Sequence, residues 1–199
     1  MAKTLKDAAL AYAQKGWKIF PVEANAKRPH KGLPKGGHNN ATDDISKIER
    51  WWTQYPTANI GLHLDASGLV CLDADVYKND CVFSELTQQH EVPTTLQQRS
   101  ASGGLHLIFK CLPEDTFPGT FGAGIDIKHK GYILVSPSTF AGGQYEWTNE
   151  LEIADAPEWL KKPKVGSTFN NFPRDLWVIS IATILKKLAE RYSTPETFQ

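Results

Sequence analysis

The chain has 199 residues, with 22 Lys and Arg against 22 Asp and Glu, 41% hydrophobic residues, six Trp and nine Phe. That length holds one domain with a substantial core plus a small appendage, and the composition excludes a disordered chain. The formal net charge of zero excludes a strong global pull on nucleic acid, and no apolar run or signal sequence points to a membrane, so a cytoplasmic protein with no membrane partner is expected. Cys71, Cys81 and Cys111 are too few and too widely spaced for a disulfide framework or a paired-cysteine zinc site, and read as reduced, mostly buried thiols.

The first expected element is an amphipathic helix. Thr4 and Asp7 form a capping-box pattern, Leu5, Ala8, Ala9 and Tyr12 recur at helical spacing, and Gly16 stops the run. Trp17 to Val22 reads as a short strand that ends in a basic, Gly-rich loop, Lys27 to His38, with four Lys or Arg and no acid. That loop is either an anion-binding surface, for triphosphate or nucleic-acid backbone, or a solvated flexible segment. Thr42 or Asp43 is placed to cap a second helix whose apolar stripe is Ile45, Ile48, Trp51 and Trp52, with Pro56 closing it. The tryptophan pair reads as core because it lies on that stripe.

Asn59 to His63 is an expected strand and Asp65 to Gly68 a turn, which makes Leu69 to Val76 the expected hairpin partner. Period-two alternation puts Val70, Leu72, Ala74 and Val76 on one face of that strand and Cys71, Asp73 and Asp75 on the other. Like charges side by side are costly unless a cation or solvent relieves them, so the Asp pair marks half of a divalent-metal site, or else an exposed strand end. Oxygen ligands alone suit Mg²⁺ or Mn²⁺ better than zinc. Asp80 is expected to cap a helix with Val82, Phe83 and Leu86 that ends before Pro93, and Thr94 to Arg99 is β-prone.

In Ser100 to Lys110, Leu105, Leu107 and Phe109 point to a core and His106 to the opposite face, directly after a Ser/Gly turn whose amides are candidates for phosphate oxygens. Gly124 to Lys128 repeats the device, with Ile125 and Ile127 inward and Asp126 opposite, a third carboxylate. Gly131 to Ser138 reads as a strand running into a turn and Gly142 to Trp147 as the second arm of a hairpin, with Pro157 to Leu160 closing the domain. From Lys161 the composition becomes linker-like, and Asp175 to Tyr192 carries an amphipathic helical pattern.

Together these stretches resemble the bifunctional primase-polymerase (prim-pol) catalytic domain of the archaeo-eukaryotic primase superfamily, found in plasmid, phage and prophage replication proteins. The matching pieces run in the family's order: Gly16-Trp17 with Phe20-Pro21, Lys27-Arg28-Pro29, Trp51-Trp52 with Pro56 and Asn59-Ile60-Gly61, Leu72-Asp73-Ala74-Asp75, Ser102-Gly103-Gly104-Leu105-His106, Gly124 to Lys128, and Pro137-Ser138 with Tyr145-Glu146-Trp147. The resemblance implies an α+β fold in which an RRM-like sheet unit packs on an N-terminal α/β unit. The catalytic domain would occupy residues 1–162, with a linker and C-terminal helical extension over 163–199.

The same resemblance implies catalytic roles for Asp73, Asp75, Asp126 and His106, with the three carboxylates holding two divalent ions, Mg²⁺ or Mn²⁺. It implies nucleotide contacts from Ser102, Gly103, Gly104, protonated His106, Lys128, Ser138 and Lys27. The partners would be a single-stranded DNA template, NTP or dNTP, and a replicative helicase. The implied reaction is two-metal nucleotidyl transfer, in which ions about 3.5 to 4 Å apart activate the attacking hydroxyl and neutralise the leaving pyrophosphate. Two other readings stay open: a replication-initiator module that binds single-stranded DNA with little catalysis, and a metal-dependent phosphodiesterase.

Overall fold

The structure, a computed structural model, describes residues 4–163. The expected linker and C-terminal helix over 163–199 lie outside the described residues, apart from Pro163. Three helices and eleven short strands are described: α1 (Leu5–Gln14), β1 (Ile19–Val22), α2 (Ile45–Gln54), β2 (Asn59–His63), β3 (Leu69–Ala74), α3 (Phe83–Gln89), β4 (Gln97–Arg99), β5 (Leu105–Lys110), β6 (Thr120–Gly122), β7 (Ile125–Lys128), β8 (Tyr132–Val135), β9 (Thr139–Phe140), β10 (Gly143–Gln144) and β11 (Glu146–Trp147). Among these residues no helix is long and apolar enough to cross a membrane.

Helix α1 starts at the expected capping box, with Asp7 N–H donating to Thr4 Oγ1 at 3.1 Å and Thr4 N–H to Asp7 Oδ2 at 3.2 Å. The α2 cap is Asp44, whose Oδ1 accepts from Lys47 N–H at 3.2 Å, in place of the expected Thr42 or Asp43. Both of those are drawn elsewhere: the Thr42 backbone bridges to Ile19, and Asp43 pairs with Lys18 Nζ at 2.6 Å. Asp80 likewise does not cap α3, which begins at Val82 without a side-chain cap.

The strands form two principal antiparallel sheets. A three-stranded sheet has the order β1-β2-β8, and a six-stranded sheet the order β11-β4-β5-β3-β7-β6. The expected hairpin between β2 and β3 does not form. Each of these strands has both edges filled, β2 by β1 and β8 and β3 by β5 and β7. The connection between them is a short 3-10 turn that ends at Gly68 with φ +66°, a conformation glycine adopts without strain. The segment expected as one hairpin arm is also divided, with β10 pairing to β9 and β11 to β4.

Two cores result. Phe20, Ile48, Trp51, Trp52, Ile60 and Leu62, from α2 and the three-stranded sheet, and Trp17, just before β1, share one core with Cys71 and Ile108 of the six-stranded sheet. The opposite face of that larger sheet, Val70, Leu72, Ala74, Leu107, Phe109, Ile125 and Ile127, packs with Leu86 of α3, Ala156 and Leu160. The six-stranded sheet is therefore buried on both sides. The face that alternates with the second core looks toward the three-stranded sheet, and this face carries the polar residues.

Candidate active site

Register builds the site. Asp73 on the central strand β3 lies opposite His106 of β5 on one side and Asp126 of β7 on the other, and His106 in turn lies opposite Gln98 of β4. Partners in register share a face, so four polar side chains form one row across four strands. Nε2 of His106 is 3.3 Å from Asp73 Oδ1. Lys128, two residues beyond Asp126 on the same face, places Nζ 2.5 Å from Asp126 Oδ2 and 3.9 Å from Asp73 Oδ2. Two carboxylates held opposite each other repel, and the ammonium offsets that repulsion. Burial opposes the charge of Lys128, but the hydrogen bond to Asp126 and the charges of Asp126 and Asp73 outweigh it and raise its pKa.

A cavity of about 250 Å³ opens on this row, lined by Asp73, His106, Lys128 and Lys27 together with Tyr132, Tyr145, Ile133 and Leu134. Tyr145 is 3% exposed, and burial together with the charge of Asp73 pushes its phenol up to about 12, so it is neutral at physiological pH. Tyr132 donates its hydroxyl to Lys27 O at 2.5 Å and packs its ring 5.5 Å from that of His38, which fastens both ends of the basic loop to β8. Among the described residues Lys27, Arg28, Lys31 and Lys35 make no ion pair. A larger cavity of about 1030 Å³ opens around Leu69 at the far end of β3 and holds none of the expected site residues.

The other expected residues sit apart from this cluster. Strand β3 ends at Ala74, and Asp75, just beyond it, holds Lys78 Nζ at 2.6 Å. Among the described residues no group of three or more His, Cys, Asp or Glu side chains is arranged to hold a metal. Of the three expected carboxylates, Asp73 and Asp126 are in register with Lys128 against both, and Asp75 follows the end of β3. The amides of the Ser/Gly turn are already used, with Gly103 N–H donating to Ser100 O at 2.9 Å and Gly104 N–H to Ser100 Oγ at 2.9 Å. They cannot also hold phosphate in this geometry, and Ser102 is exposed beyond them. Ser138 is fully buried, with its Oγ accepting from Ile60 N–H at 2.9 Å, so it fastens β2 and is not open to a ligand.

The Gln98 amide is oriented by its surroundings, with Oε1 accepting from Ser136 N–H at 3.2 Å and Nε2 donating to Leu134 O at 2.8 Å. Its Nε2 also lies 2.9 Å from His106 Nδ1. Gln98 and Tyr132 are not singled out in the sequence, and Tyr145 enters only through the Tyr145-Glu146-Trp147 motif, with no site role. Gln98 lies within a stretch recognised only as β-prone, and nothing in its neighbours marks it. Tyr132 falls within a stretch read only as a strand.

A family model described as "Bifunctional DNA primase/polymerase, N-terminal" (Prim-Pol) matches residues 9–159. A comparison with curated proteins finds no match. The matched span contains Lys27, Asp73, His106, Asp126 and Lys128 and covers most of the 199-residue chain. The chain belongs to the bifunctional DNA primase/polymerase, N-terminal family.

Proposed function

We propose that this chain is the catalytic domain of a DNA-templated primase-polymerase that transfers a nucleotide from NTP or dNTP onto a primer or an initiating nucleotide. The observation that carries the reading is the register of Asp73 between His106 and Asp126 at a cavity that also holds Lys27 and Lys128. The strand order β4-β5-β3-β7, with α3 in the crossover after β3, supports an RRM-like unit as the bearer of the acids.

Asp73 and Asp126 would hold a divalent cation, Mg²⁺ or Mn²⁺. Their all-oxygen donor set suits such an ion, and Lys128 already occupies a cation position against them. When bound, such ions lower the pKa of the attacking hydroxyl and neutralise charge on the leaving pyrophosphate. A second ion requires another ligand, and Asp75, two residues beyond Asp73, would supply it once released from Lys78. Lys27 and Lys128 supply positive charge for the triphosphate, and His106 lines the same cavity. The unpaired cations of the basic loop give a single-stranded template a phosphate-binding edge beside the cavity.

The test incubates purified protein with single-stranded template, labelled nucleotides and Mg²⁺ or Mn²⁺. Products that grow without a supplied primer indicate a primase, and growth only from a primer indicates a polymerase. Template shortening would support a phosphodiesterase, and template binding with no product would support an initiator module. Either of those two outcomes rejects the proposal.

A further inference from the structure

Gln98 has no role in the chemistry described above, yet it is among the most constrained polar residues in the molecule. It is a fully buried side chain with every polar atom engaged: Nε2 donates to Leu134 O at 2.8 Å and faces His106 Nδ1 at 2.9 Å, and Oε1 accepts from Ser136 N–H at 3.2 Å. Rotating the amide by half a turn would set its oxygen against Leu134 O and its NH₂ against Ser136 N–H, two repulsions in place of two hydrogen bonds. Leu134 belongs to β8 in the three-stranded sheet, whereas Gln98 and His106 belong to the six-stranded one. The amide thus ties the two sheets together behind His106 and Leu134, which line the cavity.

We propose that Gln98 is the positioning residue of this site, selecting the neutral Nε2–H tautomer of His106 so that the ring presents a hydrogen-bond donor to the triphosphate of the incoming nucleotide. A donor NH₂ at Nδ1 excludes a proton there, so the one ring proton of neutral histidine is placed on Nε2, the nitrogen on the Asp73 side. The opposite tautomer would face an anionic oxygen with a lone pair. Fixing the ring in advance avoids ordering it at each binding event, and a donor to an anionic oxygen is worth more than a neutral pair. The ligand part of this proposal rests on the function proposed above, but the tautomer part does not.

The first measurement is the ring ¹⁵N spectrum of the uniformly labelled wild-type chain near pH 7.5, with His106 assigned by the signal lost in His106→Ala. The expected result is an unprotonated Nδ1 and a protonated Nε2. A protonated Nδ1 overturns the proposal, and the deciding spectrum is that of the wild-type chain. The second measurement uses Gln98→Met, close in length but without donors. The His106 signal should move to a mixture of tautomers, the KM for nucleotide should rise about tenfold, and kcat should stay within about twofold. Unchanged tautomer and KM would overturn the proposal, as would an equal fall in kcat with no change in KM. If the protein proves to have no polymerase activity, the wild-type spectrum still decides the tautomer, which separates failure of this inference from failure of the functional reading.

Discussion

The two faces of the six-stranded sheet are built from the same strands, yet they do different work. Toward α3 the face is continuous hydrocarbon, with Val70, Leu72, Phe109 and Ile125 at or near zero exposure. Toward the three-stranded sheet, the alternate positions of β3, β5 and β7 give Asp73, His106, Asp126 and Lys128. Stability rests on the first face, where removing a methylene leaves a cavity, and chemistry rests on the second, where like charges are tolerated because a cation lies between them. The site is rigid because its backbone is shared with a packed core.

Leu72→Ala should break the apolar face most severely. Leu72 is fully buried on the central strand, so the variant should lose about 2 to 5 kcal/mol of stability by denaturant titration. A smaller loss, under about 1 kcal/mol, would show that this core is loose. Asp73→Asn should act on the other face. Nucleotide incorporation should fall by about a hundredfold or more while the melting temperature changes little, because a charge is removed without a change of shape. Wild-type extension by both Asp73→Asn and Asp126→Asn would end the assignment of a cation to this pair.

Lys78→Met sharpens the contrast between Asp73, in register, and Asp75, beyond the strand end. If Asp75 joins the cation site, its release from Lys78 should lower the divalent-ion concentration for half-maximal synthesis by about twofold, since exposed pairs are weak. No change would confine the cation site to Asp73 and Asp126.

The smallest expected effect is on the pH dependence of stability. Burial lowers the pKa of His63 against the opposing charge of Asp65, with His38 adding to the depression, and burial also lowers that of His129. Both start from an ordinary value of 6.5, so below it the unfolded chain binds more protons than the folded one. Stability is then full above pH 6.5 and falls as pH drops through the folded pKa values. The melting temperature should be flat from pH 8 to 7 and decline toward pH 5, and His63→Gln should flatten that decline. An unaltered slope in the variant would place the titration elsewhere. Carboxylates with lowered pKa values, such as Asp43 and Glu23, act only at more acidic pH.

Local chemistry made much of the site legible before any fold was known. The alternation in Leu69 to Ala74, Leu105 to Lys110 and Ile125 to Lys128 places Asp73, His106 and Asp126 opposite their apolar neighbours, because a strand has a period of two whatever it pairs with. The capping box of α1 and the burial of Trp51 and Trp52 follow from the same short-range rules. Asp75 lies just past the end of β3, with its backbone N–H donating to Gly124 O at 2.8 Å. Alternation cannot foresee where pairing ends.

What the sequence alone determined is therefore the character of each element: which faces are apolar, which carry acids, and that three such strands exist. Only the tertiary structure decided which strands are neighbours. It placed β3 between β5 and β7 instead of beside β2, and so set Asp73 between His106 and Asp126. It also used the Gly103 and Gly104 amides within their own turn, buried Ser138 against β2, and brought Gln98 to His106 and Leu134. The reason is physical. Periodicity and capping depend on a few adjacent residues, whereas strand pairing and the satisfaction of buried amides depend on partners tens of residues away, whose identity is settled only when the whole core closes.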